Sequence, residues 1–167
     1  MSGNGGIAVA EIMEYEKVVE ILELYPQIDK DIRFLRKFIK DMNDEYYTPS
    51  TSTNYDGLPK GNNTSNITED LAMNIPKGMS AELKESERRI AEYQQLKTEI
   101  LKEISRLKYK QKTIIFDKYI NGLKWEQVAV RNHYTSRQCK NIRREAVNCL
   151  AVMFAQNEII SKFKIAA

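Results

Sequence analysis

The sequence reads Thr113-Ile-Ile-Phe-Asp-Lys-Tyr-Ile120, breaks at Asn121-Gly122, and continues as Leu123-Lys-Trp-Glu-Gln-Val-Ala-Val-Arg131. After a second break at Asn132-His133-Tyr134, a third segment runs from Thr135 to about Leu150. Apolar residues recur at helical spacing in all three segments. Three short helices with two tight breaks are typical of a helix-turn-helix preceded by a supporting helix.

Small and apolar residues in this stretch have the spacing that two crossing helices require. Ala129 stands where only a small side chain fits, and Cys139 and Ile142 follow ten and thirteen positions later on one face of the next helix. Thr135 with Gln138 forms a capping box, which marks the beginning of that helix. The segment from Thr135 is therefore predicted to be the second helix of the motif.

The residues predicted to face outward carry the side chains that read base edges and bind phosphates. They are Ser136, Arg137, Gln138, Lys140, Asn141, Arg143 and Arg144. A solvated basic face on an ordinary helix is the alternative interpretation. DNA binding is favoured over it because the cap, the core spacing and the exposed chemistry agree.

One residue departs from the usual pattern of this motif. The turn usually has Gly, with positive φ, where this chain has His133, and His adopts that conformation at some cost. Asn132 would take the role if the turn were shifted by one residue. The only histidine of the chain is thus expected to be a turn residue and not a catalytic base.

The pattern from Tyr119 to Ala146 resembles region 4 of sigma-70-type factors, and more closely the phage late transcription regulators of the RinA and ArpU type. A weaker similarity to a linker motif of that group lies at Leu58-Pro-Lys-Gly61, Ser65 and Thr68-Glu69. The resemblance implies a sequence-specific DNA-binding protein that activates phage or prophage late genes. It implies double-stranded DNA and host RNA polymerase as partners.

The charge is unevenly distributed along the chain. The whole chain has a net charge of +3, but the stretch from Arg106 to Leu150 has eleven Lys or Arg and three acids, a net +8, which leaves −5 for the rest. A basic module on an acidic body is typical of a nucleic-acid-binding protein. The acidic N-terminal half argues against a complete sigma factor, which would need a second basic domain to melt promoters.

The two cysteines indicate a reducing compartment. Cys139 and Cys149 fall on the same predicted helix, about 15 Å apart, and cannot form a disulfide within it. No signal peptide or membrane-spanning apolar run is recognisable, so the protein is expected in the cytoplasm of a host bacterial cell, without a membrane partner.

The remainder of the chain predicts a helical body. Residues 1–45 form two helices separated at Pro26, and the second has a coiled-coil-like apolar stripe. Residues 46–80 form a polar linker with a short helix near Thr68 to Met73. A helix capped by Ser80, over 81–109, returns antiparallel to the N-terminal helices. The helix-turn-helix domain spans 110–157, and an apolar tail spans 158–167.

The predicted fold is therefore all-α, with a helical hairpin body and a C-terminal helix-turn-helix. No catalytic or metal-binding motif is recognisable, so neither an enzyme nor a cofactor is expected. Bases would be read by Ser136, Arg137, Gln138, Lys140 and Asn141, beside the cap residue Thr135. Phosphates would be bound by Lys124, Arg143 and Arg144.

The main alternative is a phage small terminase subunit, which also joins a helix-turn-helix to long helices but assembles into rings. A third hypothesis is an interaction protein that has lost DNA binding, and the preserved basic face argues against it. The predicted body would contact polymerase or form a homodimer.

Overall fold

The computed structural model describes residues 12–47 and 77–164, and these residues form only helices and connecting turns. The prediction of an all-α fold is therefore confirmed for the described part of the chain. The helices are α1 (Tyr15–Tyr47), α2 (Lys77–Ser105), α3 (Tyr109–Ile115), a π-helical turn (Phe116–Ile120), α4 (Trp125–Asn132), α5 (Ser136–Gln156) and α6 (Glu158–Lys162).

The chain divides into two compact units. The described residues of unit 1 are 12–31 and 92–164, and those of unit 2 are 32–47 and 77–91. The short helix predicted near Thr68 to Met73, with most of the predicted linker, lies outside the described residues. The pairing of α1 and α2 as an antiparallel hairpin remains a prediction.

Pro26 lies inside α1, and the predicted break between two N-terminal helices is wrong. A proline in a helix removes one backbone hydrogen bond and costs about 3 kcal/mol. Leu22 and Ile28 on either side of it are completely buried. Each contributes about 1.5–3 kcal/mol by burial, which offsets the cost of continuing the helix through Pro26.

The core of unit 1 is formed by apolar residues from α1, α2, α3, α5 and α6. Its largest completely buried side chains are Phe154, Ile21, Leu22, Ile28, Leu96, Ile100, Ile104, Ile114, Ile115, Leu150 and Ile160. The α1–α2 contact includes an ion pair in which Lys97 Nζ lies 2.6 Å from Asp29. Helix α2 begins at Lys77, so Ser80 lies in its first turn and the predicted cap at Ser80 is wrong.

The predicted apolar tail begins with α6 and packs on α2. Asn157 accepts hydrogen bonds from the N–H groups of Ile159 and Ile160, which caps α6. Its side-chain amide donates to Glu99 and Glu103 of α2. Ile160 is completely buried. The described part of the tail is thus part of unit 1 and contacts α2, where the ring centroid of Phe163 lies 6.2 Å from that of Tyr93.

Candidate nucleic-acid interface

Helices α4 and α5 are held together by a small apolar cluster. Val128 and Ala129 of α4 pack with Cys139 of α5 and Ile114 of α3, and all four are buried. Partly buried apolar residues surround the cluster: Leu123, Trp125, Tyr134 and Ile142. The predicted helix crossing at Ala129 is consistent with this packing, and the prediction that Cys139 is a core residue is confirmed.

The turn between α4 and α5 is fixed by its backbone. His133 has φ 57°, in the left-handed region, so the sequence-based expectation for this position is confirmed and the shifted turn at Asn132 is not observed. The N–H of His133 donates to the carbonyl of Val130, and the N–H of Tyr134 donates to that of Ala129. These bonds form a Schellman motif, which ends α4 and redirects the chain.

The beginning of α5 has the predicted capping box. The Gln138 N–H donates to Thr135 Oγ1 at 3.2 Å, and the Thr135 N–H donates to the Gln138 side-chain oxygen at 2.9 Å. Two backbone N–H groups at the helix end are satisfied in this way. The side-chain oxygen of Gln138 is consequently occupied in the cap, although the residue is exposed.

Four predicted site residues form one exposed stripe along α5. Counted from Arg137, the other three residues follow three, four and seven positions later, the spacing of one helix face; they are Lys140, Asn141 and Arg144. All four are exposed. Ser136 beside them is half-buried. The stripe presents three cations and one amide to solvent, a combination that can bind phosphates and base edges.

Lys124 stands at the beginning of α4, in the N-cap position, and is exposed. Its backbone N–H donates to the side-chain oxygen of Gln127 at 2.9 Å. Lys124 therefore lies at a helix N-terminus. The positive charge of its side chain and the backbone N–H groups of the first turn both favour phosphate binding there.

Arg143 differs from the other predicted site residues because it is half-buried and its guanidinium binds inside unit 1. Its Nε donates to the hydroxyl of Tyr119 at 2.7 Å, and its Nη1 donates to the hydroxyl of Tyr15 at 3.0 Å. The expected phosphate contact of Arg143 remains a prediction, and it would compete with these two bonds.

Asp117 in the π-helical turn is a buried acid that the sequence analysis did not single out. It accepts hydrogen bonds from the side-chain amides of Asn121 at 3.0 Å and Asn132 at 2.8 Å, and Arg131 lies 3.4 Å away. The carboxylate thus ties the π-helical turn to the end of α4. The sequence held a signal for it, since Asp117 is one of three acids in a basic stretch and stands among apolar residues.

The two cysteines have different surroundings in α5. Burial raises the pKa of the Cys139 thiol, whereas Cys149 is exposed. Within residues 12–47 and 77–164, no three His, Cys, Asp or Glu side chains come together as a metal site would require. None of the helices in those ranges is long and apolar enough to cross a membrane.

Comparison with known proteins found no match to a family model, to a curated protein or to a solved structure.

Proposed function

We propose that the protein is a sequence-specific, double-stranded-DNA-binding transcription regulator in which α4 and α5 act as a helix-turn-helix. The observation that carries the proposal is the exposed stripe Arg137, Lys140, Asn141 and Arg144 on a capped helix braced by α4. A helix presented in this way fits the major groove, with its first turns at the base edges.

The position of each residue along α5 suggests its role. Arg137 and Asn141 lie in the first two turns, and their side chains can bond guanine and adenine edges respectively. Lys140 between them can reach a base or a phosphate. Arg144 lies a turn later and would bind the phosphate backbone, as would Lys124 at the beginning of α4.

The wider role rests on the resemblance to phage late transcription regulators. On this proposal the protein acts in a host bacterial cell and activates phage or prophage late genes from a promoter site. Its partner besides DNA would be host RNA polymerase, and the body would also support a homodimer. The net negative charge of the chain outside residues 106–150 disfavours wrapping of the body on DNA. This supports DNA binding by the basic stretch alone.

The first test is selection of bound duplexes from a random library, followed by titration of the enriched duplex and a scrambled one at several salt concentrations. Lys and Arg contacts to phosphates release counterions, so the two or three contacts proposed for Lys124, Arg144 and Lys140 predict a log–log slope of roughly −2 to −3. Absence of an enriched sequence would contradict sequence-specific binding. Affinity that does not change with salt would contradict phosphate binding by the stripe.

The second test separates base contacts from phosphate contacts. Arg137→Ala should cost about 1–3 kcal/mol on the enriched duplex and relax discrimination at one base pair. Arg144→Ala should weaken binding to both duplexes about equally, and it should flatten the salt slope by about one unit. Lys84→Ala, which removes an exposed cation from α2, is the control for net charge and should leave both titrations unchanged.

Equal losses on the two duplexes for Arg137→Ala would mean that α5 does not read bases. A non-specific or DNA-packaging role would then replace the proposed regulator.

A further inference from the structure

Arg143, Tyr15 and Tyr119 form a cluster that joins three elements of unit 1. Arg143 belongs to α5, Tyr15 is the first residue of α1, and Tyr119 lies in the π-helical turn. Besides the two hydrogen bonds to the tyrosine hydroxyls, the guanidinium carbon lies 5.6 Å from the ring centroid of Tyr15 and 5.8 Å from that of Tyr119. We call this group the tyrosine–arginine cluster.

In this cluster two uncharged tyrosine side chains bind the guanidinium cation of Arg143. Both hydroxyls accept from the guanidinium, and both rings lie within the distance at which an aromatic face attracts a cation. Burial raises the pKa of Tyr119, and the hydrogen bond from Arg143 offsets this only in part. The tyrosine is therefore neutral at physiological pH, and the cluster is a set of hydrogen bonds, not an ion pair.

This arrangement makes Arg143 a poor phosphate ligand. A guanidinium binds phosphate best through two parallel N–H groups, and here Nε and Nη1 are already used. The neighbouring Arg144 is exposed and needs no rearrangement to reach a phosphate. The two arginines are adjacent in sequence but differ in what their surroundings allow them to do.

Apolar packing is non-directional, whereas a hydrogen bond constrains both the distance and the direction of its partner. A recognition surface must be held within about 0.5 Å and 10–20° of its productive geometry by supporting contacts. The cluster supplies such bonds from two directions, one from α1 and one from the π-helical turn. Its position near the middle of α5 lies less than two turns after Arg137 and Asn141.

We infer that Arg143 is a positioning residue, held by Tyr15 and Tyr119, that sets the orientation of α5 for base reading, so that the beginning of α1 determines DNA specificity without touching DNA. The inference rests on the proposed function, since it names residues that act on the same DNA-binding stripe.

The test uses Tyr15→Phe and Tyr119→Phe in the full chain, because these changes remove a hydroxyl and alter no charge. The matched control is Tyr93→Phe, whose ring packs on Phe163 of the tail and not in the cluster. Each variant is titrated with the enriched and the scrambled duplex at several salt concentrations, well below its melting temperature.

We expect each cluster variant to bind the enriched duplex about tenfold more weakly, the effect of losing one hydrogen bond to a charged group. Affinity for the scrambled duplex and the salt slope should be unchanged, since no phosphate contact is lost. Arg143→Lys should lose specificity as the Phe variants do, although the charge is kept. An ammonium cannot donate to both hydroxyls in the geometry of the guanidinium.

Two results would overturn the positioning role while leaving the proposed function intact. If Arg143→Ala flattens the salt slope by about one unit and the Phe variants bind normally, Arg143 is a phosphate ligand. If the Phe variants melt earlier but discriminate as well as the wild type, the cluster is only structural. A wild-type protein that prefers no duplex would instead overturn the proposed function together with this inference.

Discussion

The two units of the molecule bury their apolar residues to very different extents. In unit 1, Ile21, Leu150 and Phe154 are completely buried, together with many others. Among the described residues of unit 2, only Ile32 and Ser86 are buried, each with 7% of its surface exposed. Both units contain turns of the long helices α1 and α2, so helix formation alone does not explain the difference.

The comparison indicates where the stability of the protein resides. Helices in proteins are stabilised mainly by packing of an apolar face, and unit 2 offers a narrow, half-buried face for this. Its ion pair between Glu85 and Arg88 is exposed and therefore worth little. The candidate DNA-binding stripe belongs to the well-packed unit, where neighbouring helices can hold side chains in place.

The largest expected difference between the units comes from the same substitution made in each. Phe154→Ala should destabilise the protein by about 3–5 kcal/mol, since it leaves a cavity in the core of unit 1. Phe34→Ala in unit 2 removes a side chain that is 70% exposed and should change the free energy of unfolding by no more than about 0.5 kcal/mol. Urea unfolding of both variants measures this, and similar costs would contradict the comparison.

A smaller effect is expected at the contact between α4 and α5. Ala129→Leu should overpack the apolar cluster and cost about 1–3 kcal/mol, and DNA binding should weaken with it. Val130→Leu is the matched control, because Val130 is adjacent and 77% exposed. Thermal unfolding and duplex titration should distinguish the two variants. An unchanged melting curve for Ala129→Leu would mean that the contact has room for a larger side chain.

The buried Asp117 tests whether polar contacts in unit 1 also matter more than those in unit 2. Asp117→Asn replaces one acceptor oxygen with an amide that faces another amide donor, so a cost of about 1–3 kcal/mol is expected. Glu85→Gln, which disrupts an exposed ion pair in unit 2, should produce no measurable change. If the two variants unfold at the same urea concentration, the carboxylate does not stabilise the π-helical turn.

The elements of the C-terminal module could be predicted from sequence because their signals are local. The capping box at Thr135, the positive φ at His133 and the buried Cys139 each depend on residues a few positions apart. The same locality placed Arg137, Lys140, Asn141 and Arg144 on one exposed face.

The sequence predicted less well what depends on distant contacts. The helix through Pro26 is stabilised by tertiary burial on both sides, and the two bonds of Arg143 come from residues 24 and 128 positions away. Ile12, just before α1, and Phe34, within it, are apolar but exposed. Periodicity identifies a face of a helix, but only the neighbouring helices determine how much of that face is covered.

The smallest expected effects concern backbone conformation, and replacing Gly by Ala should have opposite signs in the two units. Gly122 in unit 1 has φ 66°, and a Cβ added there would meet nothing within 4 Å, so Gly122→Ala isolates the backbone cost. A left-handed residue other than Gly costs about 1–2 kcal/mol, of which the stiffer unfolded chain returns roughly half, leaving a net loss of about 0.5–1 kcal/mol. His133→Gly should give a gain of similar size for the converse reason.

Gly78 lies in α2 of unit 2, also with open space around an added Cβ and with no positive φ, so Gly78→Ala should stabilise by up to about 0.5–1 kcal/mol. Calorimetry of the three variants measures shifts of about 2 °C, as expected for a chain of this length. A destabilising Gly78→Ala, or a stabilising Gly122→Ala, would mean that the turns of unit 1 are no more constrained by their backbone than the helices of unit 2.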